Sequence, residues 1–204
     1  MKNLKNIRDY FKEKFEKFGA TPLGEDWNSV ESQVIRFDQL IRVIDASQPY
    51  SIIDYGCGYG ALYEYLRSLN HTFTYQGVDI LEEAVLRAKE LYGRLRNCEF
   101  ITNEQDLVPA DFVVESGIFN IKLEADYDNW TSHVLTTLNK MNNLAKKGFS
   151  FNCLTNYSDT EYMRSDLYYA DPCLLFDYCK VNFSKNVALL HDYKLYDFTI
   201  IVRK

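Results

Sequence analysis

Ser51-Ile52-Ile53-Asp54-Tyr55-Gly56-Cys57-Gly58-Tyr59-Gly60 runs directly into Ala61-Leu62-Tyr63-Glu64-Tyr65-Leu66. A short apolar run feeds three alternate glycines, and the segment after them carries apolar residues at helical spacing. The order is strand, tight loop, helix. Alternate glycines permit φ > 0 and let a ligand approach the main chain where a Cβ would collide. The free N–H groups of the helix's first turn then point at whatever lies over the loop. A small-ligand site at this loop is the first expectation.

Composition sets the frame around it. The 204 residues, 47% hydrophobic and 25% charged, suit a single domain with a sizeable core, here an N-terminal helical cap over residues 1–47 and a core over 48–204. No apolar run nears the roughly 18 residues of a membrane helix, and the start lacks an apolar signal core. A cytoplasmic protein without membrane partners is expected. The five cysteines form no CxxC pair, which argues against a disulfide framework and a zinc site, so no metal is expected. A net charge of −6 disfavours nucleic acid, whose phosphates need clustered Lys and Arg. Most of the sixteen tyrosines read as half-buried packing residues.

Ahead of the loop, Ile7, Tyr10, Phe11, Phe15 and Phe18 define an amphipathic helix from Asn6 to Phe18. Residues 19–26 break it. A second helix is expected from near Trp27 to Ile44, with Asn28, Ser32 and Arg36 recurring along one polar face. That row either closes over a ligand, the arginine pairing a carboxylate, or is simply solvated.

Beyond the loop, Thr72 to Ile80 reads as a strand ending in Asp79, nineteen positions after Gly60. This spacing suits the second strand of a βαβ unit whose terminal acid accepts hydrogen bonds from ribose hydroxyls. The acid could instead cap the helix starting near Glu82. A helix over Leu81–Tyr92, strands over Cys98–Thr102 and Ala110–Glu115, a helix over Tyr127–Ala145 stopped by Lys146-Lys147-Gly148, and a strand over Phe149–Thr155 follow. Such alternation builds a parallel sheet with right-handed crossovers. After a loop rich in tyrosines, Asp171-Pro172 starts a helix to Asn182, and strands Asn186–Leu190 and Tyr196–Val202 are joined too briefly to be anything but antiparallel. The fold class is α/β: a Rossmann-like three-layer sandwich whose seven-stranded, mostly parallel sheet ends in an antiparallel hairpin.

Asp54-x-Gly56-x-Gly58-x-Gly60, the acid after the second strand and the closing hairpin together resemble the class I S-adenosylmethionine-dependent methyltransferases over nearly the whole chain. The nicotinamide and flavin signature G-x-G-x-x-G places its third glycine one position later, which disfavours an NAD-dependent oxidoreductase. The resemblance implies S-adenosylmethionine as cofactor. It implies that Asp54, Gly56, Cys57 and Gly58 surround the methionine part, that Asp79 holds the ribose hydroxyls and that Ile80 lies against adenine. One of Asn103, Glu104 or Asp106 would meet the adenine amino group. Glu115 and Ser116 would flank the sulfonium, with Arg36 as a further cofactor contact. The Asn-Pro-Pro-aromatic motif of DNA and protein amide methylators is missing, as is the acid-and-amide set that binds magnesium in catechol-type enzymes.

Three blocks are similar to a bacterial subgroup of small methyltransferases associated with surface-polysaccharide or natural-product gene neighbourhoods: Asp26-Trp27-Asn28 with Arg36-Phe37, Ser116-Gly117-Ile118-Phe119-Asn120, and His191-Asp192-Tyr193 with Phe198-Thr199. This implies a small-molecule methyl acceptor, with a sugar or sugar nucleotide as one candidate, contacted by Trp27, Asn28, Phe119, Asn120 and Tyr193. Methyl transfer from a sulfonium is an in-line displacement, so the protein positions the acceptor and, where needed, takes its proton. The turn between the last two strands lies at the ligand-binding edge of an open α/β sheet, making His191 the first candidate base; a turn-capping histidine is the other reading. A module that binds the cofactor without turnover is the non-enzymatic alternative.

Overall fold

In the computed structural model, which describes residues 2–204, the decisive stretch opens as β1 (Tyr50–Tyr55) at the centre of the sheet. The chain continues through β2 (Phe73–Val78), β3 (Cys98–Ile101), β4 (Ala110–Glu115), β5 (Ala145–Thr155), β6 (Tyr169–Ala170), β7 (Asn186–Leu190) and β8 (Asp197–Arg203). Strand order is β3-β2-β1-β4-β5-β8-β7. The first five strands are parallel; β8 runs antiparallel to both β5 and β7. Strand order reverses between β1 and β4, which leaves a crevice at the C-terminal ends of the strands.

The alternation of β1 explains its central place. Ile53 joins the core on one face with Val113, Phe149, Phe151, Trp130 and Leu138, while Ile52 joins the opposite core with Phe37, Tyr63, Tyr75 and Phe100. A strand buried on both faces needs apolar residues on successive positions, which the adjacent Ile52 and Ile53 supply. The helices α1 (Lys2–Phe18), α2 (Val30–Leu40), α3 (Ala61–Ser68), α4 (Glu82–Tyr92), α5 (Tyr127–Leu144) and α6 (Pro172–Asn182) flank the sheet.

The elements depart from the sequence expectation at several points, α1 starting before Asn6 and α2 stopping at Leu40 among them. Helix α5 stops at Leu144, and Lys146-Lys147-Gly148 already lies in β5. The lysines do not cap a helix: Lys147 pairs across to Asp111 on β4 at 3.1 Å. Gly148 serves close strand packing, because a Cβ there would stand 2.5 Å from the Val202 carbonyl oxygen. An eighth strand, β6, pairs with Leu154 and Thr155 of β5 beyond the end of β4. Helix α2 begins at Val30, three residues past Trp27, because Ser29 caps it by accepting from the Ser32 N–H.

The cap is tied down by Asp26. Left-handed at φ 62°, it accepts from the Tyr10 hydroxyl at 2.7 Å and from Lys14 Nζ at 2.6 Å, fixing the turn Pro22–Glu25 to α1. Lys12 pairs with Glu83 at 2.7 Å, joining α1 to α4. Among the described residues, no helix is long and apolar enough to cross a membrane, and no group of three or more His, Cys, Asp and Glu could hold a metal ion.

Candidate functional site

Gly56, Gly58 and Gly60 have φ of 93°, 51° and 90°, the left-handed region that the alternate glycines imply. Gly56 and Cys57 N–H donate to the Val78 carbonyl at 2.8 and 3.0 Å, binding the loop to the end of β2. Asp79, at that same end, accepts from Gly58 N–H at 2.9 Å through one oxygen and from Leu81 N–H at 2.8 Å through the other. Its carboxylate therefore both shapes the glycine loop and holds the turn that leads into α4, without capping the helix itself. Asp54 is buried beneath the loop and accepts from the Tyr75 hydroxyl at 2.6 Å.

The space over these glycines is taken by side chains of the protein itself. A Cβ on Gly56 would meet Ile118 Cγ2 at 2.2 Å, and one on Gly60 would meet the Tyr92 and Phe100 rings at 2.9 and 3.1 Å. Over Gly58 lies Glu25 of the cap, whose Oε1 would stand 1.6 Å from such a Cβ. Glu25 accepts from Tyr59 N–H at 3.1 Å and from Gln33 Nε2 at 2.9 Å. The residue was not singled out by sequence reasoning, since nothing in its surroundings in the chain points to a loop more than thirty positions away.

Three carboxylates thus crowd one loop. Burial pushes Glu25 up to about 8, with Asp79 and Asp54 adding to the effect against the Tyr59 N–H that opposes it. Burial likewise raises Asp54 to about 7 and Asp79 in the same direction. None of the ion pairs among the described residues engages any of the three. Such a cradle favours a ligand carrying positive charge, which would relieve the repulsion. Cys57 is buried in the same loop, where burial pushes its thiol well up and leaves it unreactive.

Next to Asp79, Ile80 is 46% exposed. A surface cavity of about 430 Å³ lies between Ile80 and Thr102 on the core side and Leu4, Lys5 and Arg8 of α1. Asn103, Glu104 and Asp106 sit on the exposed turn after β3. The Asn103 side chain accepts from Gln105 N–H, and Glu104 is engaged by Tyr55 and by Lys140 at 2.6 Å, so Asp106 is the member of this set without a side-chain partner among the described residues.

A second constellation forms where the C-terminal ends of β4 and β5 meet the N-terminal end of β8. Trp27 packs over Gly117, where a Cβ would lie 2.5 Å from its Cζ2, and the Arg36 guanidinium lies 4.4 Å above the Trp27 ring. Arg36 donates to Asp197 at 2.5 Å and to the Ser32 carbonyl at 2.8 Å, so its carboxylate partner belongs to the protein. Asn152 Nδ2 donates to Ser116 Oγ at 3.2 Å, and the Tyr193 and Thr199 hydroxyls are 3.0 Å apart. Asp197 and Asn152 were missed in the sequence; an acid and an amide inside otherwise apolar strands were the available signal.

The remaining expected site residues differ in their exposure. Phe119 is fully buried against Phe151, and Asn120 is buried with its oxygen accepting from Leu154 N–H at 3.0 Å. These two are structural pieces of the core rather than open surfaces for an acceptor. Glu115 is fully buried, holds the Ile118 N–H at 2.6 Å and is raised well above its ordinary value by burial. Asn28 is exposed. His191 is exposed on the β7–β8 turn, its ring 6.0 Å from that of Tyr157.

No family model matches the chain. It is 49% identical over 164 residues, 80% of its length, to a protein of Mycobacterium tuberculosis named "Putative methyltransferase Rv1506c", 99% of which is covered. In fold it is similar to the magnesium protoporphyrin IX methyltransferase of Synechocystis PCC 6803 with bound SAH, at a TM-score of 0.68 and 15% identity over 98% of this chain and 99% of that one. It is also similar to the N-methyltransferase NodS of Bradyrhizobium japonicum in complex with S-adenosyl-L-homocysteine, at a TM-score of 0.64 and 14% identity over 98% of both chains.

Proposed function

Because this chain belongs to the class I S-adenosylmethionine-dependent methyltransferases, we propose that it moves the methyl group of that cofactor to an oxygen or nitrogen of a small molecule, a sugar or sugar nucleotide being the favoured class. The observation that carries the reading is the loop from Asp54 to Gly60, shaped by Asp79 and edged by three carboxylates that no cation pairs among the described residues. The cofactor carries a sulfonium and an ammonium, so its charge complements the cradle.

In this reading Asp54, Gly56, Cys57 and Gly58 border the methionine part, together with Glu25. Asp79 holds the ribose while keeping its place on the Gly58 N–H. Ile80, with Thr102 and the facing side of α1, borders the adenine, and Asp106 or its neighbours Asn103 and Glu104 reach the amino group. Ser116, at the exit of β4, lies toward the reacting methyl, with Glu115 below it as a support for the turn at Ile118.

The bound cofactor supplies an electrophilic methyl group on sulfur. This chain's own residues would orient the acceptor in line with that methyl group and give the acceptor's proton a route to a base or to water. His191, on the rim beside Tyr157, is the proposed base. Trp27, Asn28, Arg36 and Tyr193 surround the approach to the acceptor.

Calorimetric titration with S-adenosylhomocysteine and with NAD tests the cofactor, and transfer of a radiolabelled methyl group across an acceptor panel tests turnover. Binding of the former with labelled sugar product is expected. Tight NAD binding without S-adenosylhomocysteine binding would overturn the reading.

A further inference from the structure

Side chains from four separate segments close into a ring at the C-terminal edge of the sheet. Asn152 bonds Ser116 and is the cross-strand neighbour of Thr199. Asp197, two residues from Thr199 and on the same face of β8, pairs with Arg36. Arg36 covers Trp27, and Trp27 packs over Gly117, next in the chain to Ser116.

Within this ring Arg36 Nε, Asp197 Oδ1 and Asn152 Oδ1 are buried without a hydrogen-bond partner, in residues 7%, 1% and 0% exposed. Buried polar atoms are nearly always satisfied, so three orphans on facing elements mark a place where a partner belongs. Their chemistry restricts that partner. An anion would be repelled by the oxygens of Asp197 and Asn152, and a cation by Arg36. A neutral hydroxyl can both donate and accept, and so matches one donor set beside two acceptors. The flat, half-buried indole of Trp27 adds an apolar wall suited to the C–H face of a saturated ring.

We infer that this ring reads the neutral hydroxyls of a sugar-like acceptor, with Trp27 as its cover; the inference rests on the methyl-transfer reading above. Asp197 and Asn152 are its specificity-determining residues, and Arg36 serves the acceptor through Asp197.

Trp27 supplies the assay. The chain's other tryptophan, Trp130, is buried in the core, so a fluorescence response that Trp27→Phe abolishes reports on the ring. The full chain, saturated with S-adenosylhomocysteine, is titrated with the methyl glycosides of glucose, galactose, rhamnose and glucosamine and with UDP-glucose. At least one neutral sugar should give a saturable change. Asn152→Ala should weaken it tenfold or more while S-adenosylhomocysteine affinity stays within twofold, and Asp197→Asn should do the same if Asn152→Ala fails to fold. Silence across the panel while S-adenosylhomocysteine binds would overturn the ring and leave methyl transfer standing, as would unchanged sugar affinity in both variants or a preference for the cationic glucosamine. Failure of S-adenosylhomocysteine itself to bind would overturn both.

Discussion

Glu25 of the cap lays its carboxylate on Gly58, so closely that a Cβ on the glycine would stand 1.6 Å from Oε1. The glycine's missing side chain is thus used by a residue of the protein as well as by the loop's left-handed turn. Gly58→Ala adds the cost of φ 51° for a residue with a Cβ, roughly 1–2 kcal/mol, to the displacement of Glu25. Urea denaturation should show a loss of about 1–3 kcal/mol. A loss no larger than the backbone cost would mean that Glu25 moves away freely, and an unchanged midpoint would overturn both parts of the argument.

The carboxylates over the loop set a pH dependence. Glu25 and Asp54 are raised to about 8 and about 7 in the folded protein, so the native state holds protons that the unfolded chain has released above about pH 4. Stability should therefore fall as pH rises from about 4 to 8 and level off above that. A cofactor with an ammonium and a sulfonium favours the ionised carboxylates, so its binding near pH 7 should release protons. Calorimetry in two buffers of different protonation enthalpy reads the number directly, and Glu25→Gln should reduce it. A binding enthalpy independent of buffer would remove the linkage.

Asp79 has two jobs in one side chain. Asp79→Ala should weaken S-adenosylhomocysteine binding by about 1–3 kcal/mol, on the scale of a charge-assisted hydrogen bond, and should also lower the melting temperature because the Gly58 and Leu81 N–H groups lose their acceptor. Loss of stability with full affinity would leave Asp79 a purely structural residue.

The Arg36–Asp197 pair is almost wholly buried. Removing either partner alone strands a charge and should cost about 3–5 kcal/mol, whereas Arg36→Met combined with Asp197→Leu should cost less than either single change. Denaturant unfolding of the three variants gives the coupling. Additive losses would show that the two charges act independently.

His191→Ala should lower turnover by roughly 10²–10⁴-fold while leaving S-adenosylhomocysteine affinity within experimental error, if the imidazole takes the acceptor's proton. Equal turnover would assign proton removal to another group or to water.

Much of this molecule follows from rules that act within a few residues. Three alternate glycines require a left-handed loop, the apolar run before them requires a strand buried on both faces, and a short connection between the last two strands requires a hairpin. Asp79 was legible for the same reason, since the length of a βαβ unit fixes where an acid meets the loop. The end of α5 was not: Lys146 and Lys147 suit a helix terminus, but pairing of Ala145 with Ala110 on β4 extends the strand through them. Glu25 over Gly58, and the ring that joins Trp27 and Arg36 to Asn152 and Asp197, belong wholly to the tertiary structure. Each unites segments far apart in the chain, and no local propensity encodes which remote side chain will fill the space a glycine leaves or which buried oxygen will be left without a partner.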